Sequence, residues 1–202
     1  MSATSKTPQP ETPTRLEDFA LGSRIRDLRQ SRGLSLKALS ARCELSVPLL
    51  SQIERGTSSP SMRSLRQIGK GLGVTVEKLF SNPSAPLAEE AANIVRHDQR
   101  RILNLAHTGI SIELLTTSGF ENVQTFFAYI IPGGSSGADY DSHEGSESGV
   151  VLTGQLELWL DGAKHLLNPG DSFCFDSRTP HRYLNPGKAI LQTYWVISPP
   201  IY

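Results

Sequence analysis

Side chains that could hold a metal ion or a polar ligand are concentrated in two segments of the second half of the chain. The first segment contains Asp141, His143 and Glu147, and the second contains His181. Two imidazoles and a carboxylate are a common ligand set for Zn(II), Fe(II), Mn(II) and Ni(II). The same residues could instead hydrogen-bond an organic ligand directly, or satisfy one another within a polar core. The residue types predict a polar site and leave its occupant open.

Aromatic side chains accompany these residues. An acidic pocket lined with aromatic rings favours a cationic or zwitterionic small molecule, through charge pairing and cation–π contacts. Alternating aromatic residues are also typical of an ordinary core. We predict an effector site whose members are His143, Glu147, Phe173, Phe175, His181, Tyr183 and Trp195.

The first half of the chain indicates a different chemistry, which is contact with nucleic acid. Within the segment 36–55, Ser46 can cap a short helix, and Pro48 costs no hydrogen bond in the first turn of that helix. Leu50 and Ile53 lie three residues apart and face the core. The side chains left to point outward, towards base edges in a DNA major groove, are those of Ser46, Val47, Pro48, Ser51, Gln52 and Arg55.

Individual side chains of this helix suit particular partners on DNA. Gln52 can bind adenine through two hydrogen bonds, and Arg55 can bind guanine or a phosphate. We predict further phosphate contacts from Lys37, Arg42 and Arg63. The helix that begins near Ser61 is a fourth candidate, because helix N-termini attract phosphate.

Two kinds of secondary structure must position these residues. Hydrophobic residues recur at helical spacing between residues 15 and 80, which predicts about five short helices. After residue 92 the period changes to two, and turns rich in Gly, Pro, Asn and Asp separate the strands. Strands are predicted at residues 111–116, 123–131, 149–152, 156–160, 172–175 and 189–197.

These patterns divide the chain into an α+β multidomain protein. Residues 1–14 are small, polar or proline apart from Met1 and predict a disordered tail, and residues 81–92 predict a linker. The tail and the linker leave a helical domain at 15–80 and a β domain at 93–202, which the short strands predict to be a sandwich or barrel.

Charge separates along the same division. Residues 1–80 contain 13 Lys and Arg against 7 Asp and Glu, a balance of +6, and the remainder has a balance of −6. This asymmetry favours a half that binds a polyanion. The two cysteines are too few for a disulfide framework, and no apolar run is long enough to cross a bilayer. We therefore predict a cytoplasmic protein with no membrane partner.

Residues 24–80 resemble the XRE (Cro/C1-type) helix-turn-helix family. The resemblance lies in R-I-R-D-L-R-Q-S-R-G-L-S, in L-S-Q-I-E-R-G with the P-S that follows, and in G-L-G-V-T-V-E-K-L-F. It implies a five-helix domain like that of lambda repressor. Glu44 occupies the turn position where the family usually has glycine, and a left-handed conformation there would cost about 1 kcal/mol.

Residues from about 94 to 202 resemble a cupin, which implies a double-stranded β-barrel. In the first motif His143, Glu147 and Gly154 match the family, while Asp141 occupies the position of its first histidine. In the second motif His181 and Asn185 stand at the family offsets. The resemblance implies that His143, Glu147 and His181 converge inside the barrel, where Asp141 could add a fourth metal ligand.

The combination resembles a class of bacterial transcriptional regulators, and most of all its polyamine and amino-acid catabolism branch, which includes the putrescine-utilisation repressor. It implies a homodimer, joined through the cupin domain, that binds double-stranded operator DNA as a repressor and responds to a polyamine or amino-acid-related effector. It implies no enzymatic activity. Two alternatives remain: a metal-dependent cupin enzyme with a DNA-binding module, and a ligand-blind autorepressor whose barrel only dimerises.

Overall fold

A computed structural model describes residues 15–80, 93–105, 108–117, 120 and 122–200. The predicted tail at 1–14 and the predicted linker at 81–92 lie outside these residues. None of the described helices is long and apolar enough to span a membrane.

The described part of the first half folds into five helices, as predicted: α1 (Arg15–Ser31), α2 (Leu36–Cys43), α3 (Val47–Glu54), α4 (Met62–Leu72) and α5 (Val76–Phe80). Their apolar faces meet in one core, which includes the fully buried Leu39, Leu50 and Leu65. Arg29 of α1 and Glu54 of α3 form a bidentate ion pair, with N–H···O distances of 2.6 and 2.8 Å, and both side chains are almost buried. Apolar packing and this ion pair together hold α3 against α1.

The turn between α2 and α3 has the local geometry that the sequence predicts. Glu44 adopts the left-handed conformation, with φ 55° and ψ 30°. The Ser40 hydroxyl donates to the Leu45 carbonyl at 2.6 Å, which ties the end of α2 to the turn. The Ser46 hydroxyl accepts from the Leu49 N–H at 3.3 Å and caps α3. The predicted cap and the predicted strained residue are both confirmed.

The described part of the second half contains nine strands: β1 (Arg101–Leu105), β2 (Ile110–Leu114), β3 (Gln124–Ile130), β4 (Ser146–Thr153), β5 (Leu156–Leu160), β6 (Ala163–Leu167), β7 (Ser172–Asp176), β8 (His181–Leu184) and β9 (Leu191–Ser198). A six-stranded sheet has the order β1-β2-β3-β9-β4-β7, and a three-stranded sheet has the order β6-β5-β8. All strand pairs are antiparallel.

Six of these strands overlap the predicted ones, and β1, β6 and β8 were not predicted. Four of the five residues of β6 are exposed, and β8 has only four residues, three of them half-buried. Neither strand shows the alternation between buried and exposed side chains that reveals a strand in a sequence. Both strands are held by pairing with β5. Leu156 of β5 pairs with Leu167 of β6, and Leu160 of β5 pairs with His181 of β8.

Candidate DNA-binding surface and candidate ligand site

The outward face of α3 is exposed at the end where it begins. Ser46, Val47, Pro48, Gln52 and Arg55 are exposed and Ser51 is half-buried, whereas Leu50 and Ile53 are buried. Arg55 donates to the Ser51 hydroxyl at 2.6 Å, so two of the predicted base-contacting residues are linked one turn apart. The six residues therefore form one continuous surface along α3.

Three of the four predicted phosphate contacts, at Lys37, Ser61 and Arg63, lie in different surroundings. Lys37 is exposed on the first turn of α2. The Ser61 hydroxyl caps α4 by accepting from the Ser64 N–H, and a Cβ placed on Gly137 would lie 3.8 Å from the Ser61 Cβ. Arg63 is exposed and lines a cleft between the helices and the β domain. Ser61 and Arg63 thus lie beside the β domain as well as at the start of α4.

His143, Glu147 and His181 converge at one point, as the cupin resemblance implies. Nε2 of His143 lies 2.8 Å from Oε1 of Glu147, and Nε2 of His181 lies 3.3 Å from the same oxygen. The donor atoms of the three residues lie within 4.8 Å of one another. β4 supplies Glu147 and β8 supplies His181, while His143 precedes β4. Glu147 and His181 are buried, and His143 is half-buried.

Backbone carbonyl groups determine the tautomer of both histidines. Nδ1 of His143 lies 2.9 Å from the Glu144 carbonyl oxygen, and Nδ1 of His181 lies 2.8 Å from the Thr179 carbonyl oxygen. A carbonyl oxygen can only accept, so each Nδ1 carries a hydrogen and, in the neutral ring, each Nε2 is an acceptor. Two imidazole nitrogens and one carboxylate oxygen are then three acceptors directed at one point. This arrangement favours a cation, or a shared proton, between them.

The charge of the cluster follows from its burial and its neighbours. Burial raises the pKa of Glu147, but the two histidines and a hydrogen bond from Trp195 outweigh burial and hold the pKa below its ordinary value. Burial lowers the pKa of His181 below its ordinary value. Glu147 is therefore ionised at neutral pH, and its carboxylate places a negative charge inside the barrel.

The predicted aromatic residues form the layer beneath this cluster. Trp195 donates from Nε1 to Oε2 of Glu147 at 2.8 Å, which fixes the carboxylate from below. The Trp195 ring contacts Phe173 at a centroid distance of 4.5 Å and Tyr183 at 5.1 Å, and Phe175 lies 5.1 Å from the His181 ring. Phe173, Phe175 and Trp195 are buried. These rings pack against one another and support the three acceptors.

Asp141 lies apart from the three converging residues, although it occupies the position of a cupin histidine. Its carboxylate makes an ion pair with Arg66 of α4, and both side chains are largely buried. Its backbone pairs with that of His181, through N–H···O distances of 2.7 and 2.9 Å. Asp141 therefore connects the helical domain to the strand that carries His181, and the predicted fourth ligand does not join the cluster.

A cleft of about 900 Å³ separates α2 and α4 from the β domain, and His143 lies on its wall. The cationic residues that line it are Arg42, Arg63, Arg66, Lys70 and Arg178, of which only Arg42 and Arg63 were predicted, as phosphate contacts. Residues 63, 66 and 70 recur at helical spacing on the face of α4 opposite its buried Leu65, Ile68 and Leu72. That spacing was the available signal for a cationic face.

Two protein-family models match the chain: a helix-turn-helix model over residues 25–79 and a cupin-domain model over residues 126–197. The chain is 30% identical over 184 residues to the HTH-type transcriptional regulator SutR of Escherichia coli. This alignment covers 89% of this chain and 95% of that protein. The chain is 25% identical over 174 residues to the HTH-type transcriptional regulator PuuR of Escherichia coli, with coverage of 86% and 92%.

A solved structure has the same arrangement of folds. The crystal structure of an HTH_3-family transcriptional regulator from Vibrio cholerae matches with a TM-score of 0.64 at 24% identity, over 92% of this chain and 98% of that one. The predicted architecture, a five-helix domain followed by a cupin barrel, is confirmed.

Proposed function

Because this chain belongs to the family of helix-turn-helix transcriptional regulators with a C-terminal cupin domain, we propose that it represses transcription from a specific operator in the cytoplasm and responds to a small metabolite. The observation that carries the proposal is the exposed outer face of α3, where a capped helix presents Gln52 and Arg55 to solvent. A side-chain amide and a guanidinium on an exposed helix are suited to base edges in a major groove.

Operator binding is tested with the double-stranded DNA upstream of the gene for this protein, in a gel-shift or anisotropy assay at fixed salt. Gln52→Ala and Arg55→Ala should each weaken binding by about 5- to 150-fold, because a bidentate contact contributes about 1–3 kcal/mol of discrimination. Lys188→Ala removes an exposed cation from the β domain and serves as the control for lost charge. Unchanged binding by both α3 variants would overturn the assignment of this face.

The proposed operator-binding form is a homodimer joined through the cupin domains. One α3 covers only one half-site, and a two-fold pair of helices reads two half-sites about 34–36 Å apart, or a multiple of that spacing. Sedimentation equilibrium of the full chain should give a dimer at micromolar concentration. A monomer that still binds the operator with full affinity would exclude this arrangement.

The metabolite site that we propose is centred on His143, Glu147 and His181. Three convergent acceptors around one negative charge suit a cation, which could be the ammonium group of a polyamine or amino-acid-related effector. They also suit a divalent metal, because bonds of about 2.0–2.2 Å place neighbouring ligand atoms about 3 Å apart. The carbonyl group behind each histidine is the usual second partner of a metal-bound imidazole. A bound Zn(II), Fe(II), Mn(II) or Ni(II) would offer open coordination positions to the effector.

A thermal-shift screen of the full chain against polyamines, amino acids and the four metals tests this site. Ligands that bind the native state raise the unfolding temperature, and Glu147→Gln should abolish that rise for a cation bound at the cluster. The control is Asp98→Asn, because Asp98 is an exposed carboxylate that lies outside both the three-residue set and the cleft beside it. If no compound or metal raised the unfolding temperature, the alternative of a ligand-blind repressor would replace metabolite sensing.

A further inference from the structure

The cleft between α4 and the barrel meets the proposed metabolite site at His143. His143 belongs to both, since its Nε2 faces Glu147 while the residue lines the cleft. A volume of about 900 Å³ is within the range of small-molecule pockets and exceeds what an amino acid fills. A metabolite that reaches the three acceptors from this side therefore has α4 of the DNA-binding domain beside it.

The wall that α4 contributes is cationic. Arg63, Arg66 and Lys70 line the cleft along one face of α4, and Arg42 of α2 and Arg178 of the β7–β8 turn add two more charges. Against these five cations stand the three carboxylates of Glu44, Asp141 and Glu144.

Two of the cleft cations are already compensated. Arg66 pairs with Asp141, and Arg178 pairs with Asp176 at 2.5 Å. Arg42, Arg63 and Lys70 make no ion pair with another described residue. Because Glu44 and Glu144 also line the cleft, these three cations leave it with a small excess of positive charge, while the adjoining cluster holds the negative charge of Glu147.

The negative cluster and the positive cleft together distinguish between amine ligands that differ in their other charged groups. A linear polyamine with one ammonium at the acceptors would extend the next ammonium towards Arg63 and Lys70, where like charges repel. A molecule with a carboxylate at that distance would instead form charge-assisted hydrogen bonds with the same side chains.

We propose that the effector is an amino-acid-like molecule whose carboxylate binds in the interdomain cleft to Arg63 and Lys70, and that the effector site is composed of both domains. This inference rests on the proposed metabolite-sensing function and narrows its ligand class from polyamines and amino-acid derivatives to those that carry a carboxylate. It also gives α4 two contacts to the barrel, one through Arg66 and Asp141 and one through the effector.

The test uses calorimetric titration of the full chain with matched pairs that differ only in one carboxylate: ornithine against 1,4-diaminobutane, and lysine against 1,5-diaminopentane. We expect an amino acid to bind at least tenfold more tightly than the amine of its pair. Arg63→Gln combined with Lys70→Gln should remove that preference, because both variants keep a polar side chain and lose the charge. Lys188→Gln, outside the cleft, should leave the preference unchanged.

Three results would overturn the inference. An amine that binds as tightly as its amino acid, or more tightly, would leave metabolite sensing intact and exclude the carboxylate contact. A preference for amino acids that survives Arg63→Gln with Lys70→Gln would place the carboxylate elsewhere. If neither pair binds and the wider screen finds no other ligand, the proposed metabolite sensing fails and the inference fails with it.

Discussion

At the scale of single residues, Glu44 shows how one side chain can oppose an otherwise consistent local structure. It is exposed and adopts φ 55°, where the Cβ of an L-residue crowds the following carbonyl group. The Ser40 hydroxyl bond to Leu45 and the Ser46 cap hold the turn on both sides of it. The helix-turn-helix therefore keeps its geometry at the expense of some stability.

We predict that Glu44→Gly increases the free energy of unfolding by about 0.5–1 kcal/mol, because glycine adopts the left-handed conformation without steric strain. Urea denaturation measures the change. Glu44→Ala is the matched control, because it removes the same charge and keeps the Cβ. Equal stabilisation by Ala and Gly would assign the effect to the charge of Glu44 and not to its backbone.

At the scale of elements, the position of α3 depends on the ion pair that joins it to α1. Arg29 and Glu54 are almost buried, and the Arg29 guanidinium also donates to the Leu34 carbonyl at 2.8 Å. The hydrogen bond to Glu54 raises the pKa of Arg29. Arg29 stays charged when its partner is removed, so a buried cation would be left without compensation.

We predict that Glu54→Ala lowers the free energy of unfolding by about 3–5 kcal/mol, the usual loss when one partner of a buried pair is removed. Chemical denaturation followed by circular dichroism at the helical band measures it. Asp176→Asn breaks an exposed pair with Arg178 and should leave stability almost unchanged. A comparable loss in both variants would contradict a special role for the α1–α3 pair.

A buried hydrogen bond in the six-stranded sheet leads to a prediction about stability at alkaline pH. Tyr129 of β3 donates to Glu113 of β2 at 3.1 Å, and Gln192 of β9 donates to the Tyr129 oxygen at 3.3 Å. Burial, and then the negative charge of Glu113, raise the pKa of Tyr129 to about 12. The folded state therefore disfavours the ionised phenolate.

The resulting stabilisation is complete below pH 10, the ordinary pKa of tyrosine, and is lost as the pH rises towards 12. In this range the wild type should lose about 1.4 kcal/mol per pH unit relative to Tyr129→Phe, which has no proton to release. Urea denaturation of both proteins at pH 9.5, 10.5 and 11.5 measures the difference. If the free energies of unfolding of the two proteins changed in parallel with pH, the raised pKa of Tyr129 would be contradicted.

At the scale of the whole molecule, the feature with most consequence is the contact between Arg66 of α4 and Asp141 of the barrel. Asp141 is paired through its backbone with His181, so the contact lies one residue pair away from the proposed metabolite site. Any ligand that favours one position of α4 over another will be coupled to DNA binding, and the coupling must act equally in both directions.

We predict that Arg66→Gln loosens the arrangement of the two domains. Pulsed dipolar spectroscopy of full-length protein, with spin labels at residues 30 and 188 and Cys174→Ser, should show a narrow distance distribution in the reference protein. The distribution should broaden in Arg66→Gln and in Asp141→Asn. It should stay narrow in Arg178→Gln, which removes a cleft cation on the barrel side. A narrow distribution in all variants would show that the ion pair does not hold the domains.

The sequence determined features that depend on neighbouring residues. Hydrophobic period, the cap at Ser46, the strained turn at Glu44 and the outward face of α3 were all predicted, because short-range backbone and side-chain preferences decide them. The convergence of His143, Glu147 and His181 was implied by the spacing of two cupin motifs, because a fixed barrel frame converts motif offsets into positions in space.

Tertiary structure alone decided the remaining features. β6 and β8 are strands because they pair with β5, and their own side-chain patterns do not mark them. Asp141 has the motif position of a metal ligand, yet its carboxylate pairs with Arg66, which lies far from it in the chain. Ion pairs between distant segments depend on which surfaces pack together, and no local pattern contains that information. The same packing places α4 beside the three acceptors and so makes a DNA-binding domain part of the proposed effector site.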